Sequence, residues 1–166
     1  MEVKIRNMVK QDWEGVARIY QQGMDTNIST FQTECPSYDE WDKGHVKSCR
    51  LVALEGEKVI GWAALSAVSS RCVYAGVGEL SIYIDNNYKG KGVGSKLLSS
   101  LIVESEDHEY WTIQSGIMEE NEASINLHKK CGFREVGYRE KVGKDRNGKW
   151  RNTIMMERRS ALEKYN

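Results

Sequence analysis

The sequence predicts one α/β (α+β) domain, a mixed, mostly antiparallel central sheet flanked by helices on both faces. Three observations lead there. The chain has 166 residues, enough for one core and too few for two ordinary domains. Its apolar residues recur with strand and helix periods in the order β-α-α-β-β-β-α-β-α-β-β. Two junctions, Glu55-Gly56-Glu57-Lys58 and Asn147-Gly148, carry hairpin signals, so antiparallel pairs stand beside crossover helices in a mixed sheet.

The elements follow in order. Residues 3–6 form a short strand, and Asp12 is expected to cap a helix over 13–24 with Val16, Ile19, Tyr20 and Met24 on one face. Ser37-Tyr38-Asp39-Glu40 has capping-box spacing and starts a second helix running toward Cys49. Residues 51–54 and 59–66 are β-type, 80–84 alternates like a strand, and 93–105 has helical spacing. A strand over 110–117 precedes a helix over 122–130, which Gly132 ends as a left-handed cap. Residues 133–142 and 150–158 form the last hairpin. No linker, repeat or low-complexity stretch divides the chain, so residues 1–166 read as a single domain.

Composition narrows the function classes. Apolar residues make up 40% and charged residues 29%, a globular balance. With 24 basic and 24 acidic side chains the net charge is zero, which opposes a nucleic-acid or anionic-membrane partner. No apolar run is long enough to span a bilayer, and no secretory signal opens the chain, so a cytoplasmic location is expected. The four cysteines, Cys35, Cys49, Cys72 and Cys131, form no C-x-x-C pair and have no zinc-finger histidine spacing. They read as reduced thiols, and no metal is expected.

The most informative stretch runs from Ile82 through Tyr83 and Ile84 to Tyr88-Lys89-Gly90-Lys91-Gly92-Val93-Gly94-Ser95. A strand enters a glycine-rich turn and a helix begins at once. The first N–H groups of that helix lack internal partners and sit at the positive end of its dipole. Glycines let the backbone close on an anion, and Lys89 and Lys91 add positive charge, which suits a pyrophosphate. A Walker loop is excluded because Ser95 precedes Lys96. A dinucleotide fingerprint is excluded because Ser95 stands where a third glycine belongs and no acid follows near Thr112.

Lys89-x-x-Gly92-x-Gly94 resembles the Arg/Gln-x-x-Gly-x-Gly/Ala loop of the GNAT superfamily of N-acetyltransferases, with Lys89 in place of Arg or Gln. Asn121-x-x-Ser124-x-x-Leu127-His128-x-x-x-Gly132-Phe133 resembles a second motif of that superfamily. The resemblance implies the GNAT fold and acetyl-CoA as co-substrate. It implies backbone contacts from Ile82, Tyr83 and Ile84 to the pantetheine arm, and contacts to the cofactor from Asn121 and Ser124. Phe31-Gln32-Thr33-Glu34 with Trp41, Arg71-x-x-Tyr74, residues 79–84 and Gly148-Lys149-Trp150-Arg151-Asn152 extend the likeness to the phosphinothricin and methionine sulfoximine/sulfone acetyltransferase branch. Asn152 stands where that branch often has Asp.

Within that frame the chemistry assigns roles. An amine arrives as an ammonium ion, so a base must take a proton before attack on the thioester. The resemblance gives that role to Glu79. It makes His128, where many members carry a Tyr acid, the expected proton donor to the leaving thiolate. A backbone N–H near Tyr83 is the expected oxyanion donor. Arg71 suits an α-carboxylate, Tyr74 and Phe31 wall the pocket, and Glu34 holds the ammonium. The expected substrate is a small amino acid or analogue, and the branch implies a homodimer. Two alternatives are another amine (polyamine, antibiotic or protein N-terminus) and a non-catalytic acyl-CoA-binding module; an anion-binding Arg71 opposes a polycation, and Glu79 opposes a mere binder.

Overall fold

The computed structural model describes residues 1–166. Its strands are β1 (Lys4–Asn7), β2 (Leu51–Glu55), β3 (Lys58–Ala67), β4 (Val77–Ile84), β5 (Thr112–Met118), β6 (Arg134–Lys144) and β7 (Trp150–Arg159). Its α-helices are α1 (Trp13–Asp25), α2 (Tyr38–Gly44), α3 (Val93–Asp107) and α4 (Glu122–Lys130). The strands lie in the order β1-β2-β3-β4-β5-β7-β6, and all neighbours are antiparallel except β4 and β5. No helix is long and apolar enough to cross a membrane.

Burial explains the sequence pattern. β3 sits inside the sheet with Val59 to Leu65 buried, so it reads as a continuous apolar run rather than an alternation. On one face Leu51, Ala53, Ala63, Leu80, Ile113 and Met156 pack with Leu97, Leu98 and Leu101 of α3. On the other, Val52, Trp62 and Ala64 pack with Val16 and Ile19 of α1 and Trp41 of α2. The helices flank both faces unevenly, because α1 packs on β3 and β4. β6, the edge strand, is exposed along almost its whole length.

Three local expectations need correction. Asp12 stands at the N-cap of α1 but its side chain makes no cap bond; its carboxylate accepts from Arg6 Nη1 and Nη2 at 2.7 and 2.9 Å and from Val9 N–H at 2.8 Å. A single 3-10 turn, Lys10–Asp12, runs straight into the helix instead. α2 starts with the expected box, Ser37 Oγ accepting from Glu40 N–H at 3.2 Å, but stops at Gly44 rather than near Cys49. Arg50 stops it by donating to the carbonyls of Asp42, His45 and Val46 at 3.0, 3.1 and 2.7 Å, so a side chain serves the carbonyls another turn would have used. The last hairpin has no two-residue turn, since Gly148 has φ +78° while Asn147 does not adopt positive φ. The loop is closed by Asp145, whose Oδ1 accepts from Asn147 and Lys149 N–H at 2.8 and 3.1 Å.

Candidate active site

The sheet is split by a wedge. β4 and β5 pair only from Val77 to Glu79 and from Thr112 to Gln114, while β4 continues beside β3 to Ile84 and β5 beside β7 to Met118. Beyond Glu79 the two strands diverge, and a cleft of about 760 Å³ passes between them from one face to the other. The Asp85 N–H donates to Ile60 C=O at 2.9 Å, which sets the phase of the β3–β4 ladder. By alternation Ser81 and Tyr83 direct their amides to β3, and Ile82 and Ile84 turn theirs toward the wedge. Of the amides near Tyr83, those of Ile82 and Ile84 are therefore free to serve as the expected oxyanion donor, because Tyr83's own is committed to β3.

The end on the α3 face has the form of an anion cradle. Lys89, Gly90, Gly92, Gly94 and Ser95 line it. Gly90 and Gly92 have φ +74° and +83°, and a Cβ at either would meet nothing within 4 Å, so both carry left-handed backbone against open space. Gly92 is the N-cap of α3 and offers no side-chain cap bond, which leaves the first N–H groups of the helix unpartnered. Two residues of the loop do not line the cleft. The Val93 side chain is in the core, and Lys91 Nζ stands 5.5 Å over the Tyr88 ring. These features fit a pyrophosphate.

Across the cleft, Asn121, Ser124, Leu127, His128 and Lys130 come from α4 and its cap. Asn121 Oδ1 accepts from Ser124 N–H at 3.2 Å, leaving its amide nitrogen for a ligand. The His128 geometry opposes the expected proton donor. Nδ1 lies 2.6 Å from Ser124 C=O, and a carbonyl only accepts, so Nδ1 carries the hydrogen. Burial holds the ring's pKa below its ordinary value, and a neutral ring with Nδ1–H has a lone pair rather than a proton on Nε2. That Nε2 is buried without a partner, and the ring meets Phe133 edge-on at 4.9 Å.

On the α1 face the cleft is lined by Ser66, Glu79, Ser81 and Tyr83, with Gly23 and Ser29 to Gln32 opposite. Glu79 is exposed, lies at the apex of the wedge, and is the last β4 residue paired with β5. It has no ion-pair partner. Tyr83 packs against Trp62 at 5.1 Å and Tyr20 at 5.0 Å. Burial first, and Tyr20 second, push its phenol far above the ordinary value, so it stays a neutral hydroxyl. Phe31 lines the cleft as expected. Glu34, Arg71 and Tyr74, expected to hold the ammonium, grip a carboxylate and wall the pocket, do not line it, so the structure does not bring these three to the cleft. Glu34 is exposed, and the exposed Arg71 guanidinium stands 5.6 Å over the Tyr74 ring on the loop between β3 and β4. The motif match identified these residues without saying where they turn. Ser66, Ser115 and Gly116 on strands, Gly23 in α1 and Thr30 in the loop after it also line the cleft; sequence reasoning missed them, because small residues carry no chemical signal of their own.

Comparison with known proteins agrees with this geometry. Residues 13–133 match the model of the acetyltransferase (GNAT) family. The chain is 29% identical over 157 residues to a phosphinothricin N-acetyltransferase of Streptomyces coelicolor, covering 90% of this chain and 92% of the relative. It is 25% identical over 164 residues to an L-methionine sulfoximine/L-methionine sulfone acetyltransferase of Pseudomonas paraeruginosa, covering 95% and 94%. A solved phosphinothricin acetyltransferase from Sinorhizobium meliloti, in complex with acetyl-CoA, superposes with TM-score 0.85 at 28% identity over 96% of this chain and 89% of that one. A wedge in the sheet with an anion cradle on one side and a free carboxylate at its apex is thus built on a chain that belongs to the GNAT family of acetyltransferases.

Proposed function

We propose that this protein transfers the acetyl group of acetyl-CoA to the primary amine of a small amino acid or amino-acid analogue of the phosphinothricin or methionine sulfoximine/sulfone kind. The observation that carries the reading is the position of Glu79, free of cations, where the wedge opens from the cradle side to the acceptor side. When bound, acetyl-CoA supplies an acetyl thioester. The cradle at Lys89 to Ser95 holds its pyrophosphate, Ile82 and Ile84 offer backbone groups to its arm, and Asn121 and Ser124 face it from α4. Glu79 accepts a proton from the substrate ammonium, directly or through water, and so frees the lone pair that forms the new N–C bond as the C–S bond breaks. An Ile82 or Ile84 N–H faces the thioester oxygen as charge develops there. The departing sulfur keeps the bonding electrons, and the second proton of the nitrogen, shed as the amide forms, reaches it through water rather than from His128, whose Nδ1–H is engaged by the Ser124 carbonyl. The relatives' phosphinothricin and methionine sulfoximine names support the acceptor class. The reading includes a cytoplasmic homodimer, consistent with exposed Tyr138, Val142 and Trp150 at the β6 edge.

Release of CoA thiol is to be followed with phosphinothricin, methionine sulfoximine, methionine sulfone, spermidine and a peptide. Spermidine and the peptide matter because Arg71, expected to select a carboxylate, lies outside the cleft. Turnover of an amino-acid analogue is expected, and no turnover with any amine refutes the proposal. Glu79→Gln is expected to lower kcat/KM by ~10²–10⁴; full activity across pH 6–9 removes Glu79 from the mechanism.

A further inference from the structure

The acceptor side of the cleft depends on a segment with no regular structure of its own. Between α1 and α2 the chain forms neither helix nor strand, yet Ser29 to Gln32 line the cleft. Loops of this kind are the mobile part of a fold unless their backbone groups find partners. Here the partners come from the β6–β7 hairpin, more than a hundred residues away.

Arg151 and Asp145 are both buried, 4% and 8% exposed, and pair at 2.9 Å. Arg151 Nη1 also donates to the Asn27 carbonyl at 2.9 Å, and Asn27 Nδ2 donates to Asp145 Oδ2 at 3.1 Å. Asn27 itself has φ +57°, a left-handed conformation that ends α1 and that Asn adopts more readily than most residues. Glu120 adds a second carboxylate to Arg151 at 3.2 Å, and Arg146 donates to the Met24 carbonyl. A few residues along the same hairpin, Gly143 lies under Phe31; a Cβ on Gly143 would stand 3.1 Å from Cε1 and Cζ of that ring. The hairpin thus grips the segment at Asn27 and supports it at Phe31.

We propose that Asp145 and Arg151 are positioning residues for the amine acceptor: the buried pair holds Asn27, and through it the Phe31 wall, at a fixed distance from Glu79. The proposal rests on the reading above, that the Phe31 side of the cleft receives the amine. A surface ion pair would have little leverage. This pair is enclosed, so removing one partner strands the other charge and releases the segment. Acetyl-CoA's phosphates are assigned to the cradle, which the hairpin does not support; Arg151 also meets Glu120 beside Asn121 at 3.2 Å, a contact that Asp145→Asn leaves in place, so in that variant the acceptor feels the change more than acetyl-CoA.

The test uses the full chain with 4-fluorophenylalanine, because the protein has two phenylalanines. Phe31 reports the wall, and Phe133, in the core, is the internal control. In Asp145→Asn and Arg151→Lys the Phe31 fluorine signal is expected to move or broaden with the Phe133 signal unchanged, and KM for the amine to rise about tenfold with KM for acetyl-CoA within about twofold. Asn27→Gly keeps both charges and tolerates the positive φ but removes the Nδ2 donor to Asp145; it is expected to shift the same signal and the same KM, so it decides the matter if the charge variants do not fold. An unmoved Phe31 signal in the folded variants overturns the proposal, as does an equal rise in both KM values. If the wild-type protein turns over no amine, the assigned function fails, and the fluorine signals still decide whether the pair positions Phe31.

Discussion

Gly23→Ala tests whether the aromatic wall of the acceptor side is as closely packed as the structure shows. Gly23 lies inside α1, where alanine normally gains ~1 kcal/mol over glycine. Its Cβ would stand 2.5 and 2.6 Å from Cδ1 and Cε1 of Tyr83, about 1 Å short of an ordinary carbon contact. The ring has no cheap retreat, because Trp62 stacks on it at 5.1 Å and Tyr20 lies 5.0 Å away. Its backbone is held in β4, between β3 and the wedge. Overpacking of this kind costs ~1–3 kcal/mol, and the hemmed ring puts it at the upper end, so the loss outweighs the helix gain by ~1–2 kcal/mol. At ~2–4 °C per kcal/mol for a chain of this size, Tm is expected to fall by ~2–8 °C. Gly44→Ala is the control, since a Cβ there meets nothing within 4 Å. The assay is thermal unfolding of Gly23→Ala, Tyr83→Leu and the double variant. Relief of the clash should appear as a coupling of ~0.5–3 kcal/mol. A Gly23→Ala protein as stable as the wild type, or strictly additive variants, would refute the reasoning.

His128→Asn keeps a donor toward the Ser124 carbonyl and should cost less than ~10-fold in kcat, with the alkaline limb of the pH profile unmoved; a proton donor would lose ~10²–10⁴ and that limb. Because burial lowers the folded pKa of His128, the native state binds fewer protons than the unfolded one. Its contribution to stability is therefore whole above the unfolded value near ~6.5 and is lost as pH falls below it; urea unfolding at pH 7 and 5 should show a smaller drop for the Asn variant. Gly92→Ala forces a side chain into φ +83° at ~1–2 kcal/mol and aims it at the cradle. KM for acetyl-CoA should rise at least ~5-fold while KM for the amine stays put, as read by initial rates.

What could be read from the sequence was local. The cradle is contiguous from Lys89 to Ser95, so turn chemistry and the helix start identify it without tertiary information. α4 is found with its bounds intact, because Asn121 and Gly132 mark both ends. β4 is a different case. Its readable part begins at Leu80, where apolar alternation starts, but the strand begins at Val77. Gly78 and Glu79 break the alternation because they lie where β4 meets β5 and the sheet opens. The lock of Asp145 and Arg151 on Asn27 joins residues too distant in sequence for any pattern to couple. Arg71 and Tyr74 show the opposite case, where a motif gives residue identity but the loop's backbone turns them outside the cleft.

The short parallel ladder explains why the site lies where it does. A sheet interior normally satisfies every N–H and C=O. Here β4 keeps its bonds to β3, and β5 keeps its bonds to β7, so the wedge costs only the groups that face it, on Ile82 and Ile84 and on the opposing part of β5. Those groups must be met by water or by an extended ligand that runs along β4 with amides of its own, as a pantetheine arm does. Such a ligand, anchored by its pyrophosphate at the helix start, is directed down the wedge toward the point where the strands rejoin. Glu79 is the residue at that point, and the alternation of β4 puts its carboxylate on the α1 face, opposite the cradle. On the proposed reading, the base would thus be separated from the cofactor's phosphates by the sheet itself and brought near the acetyl end only through the gap, an arrangement that suits a proton transfer coupled to acyl transfer.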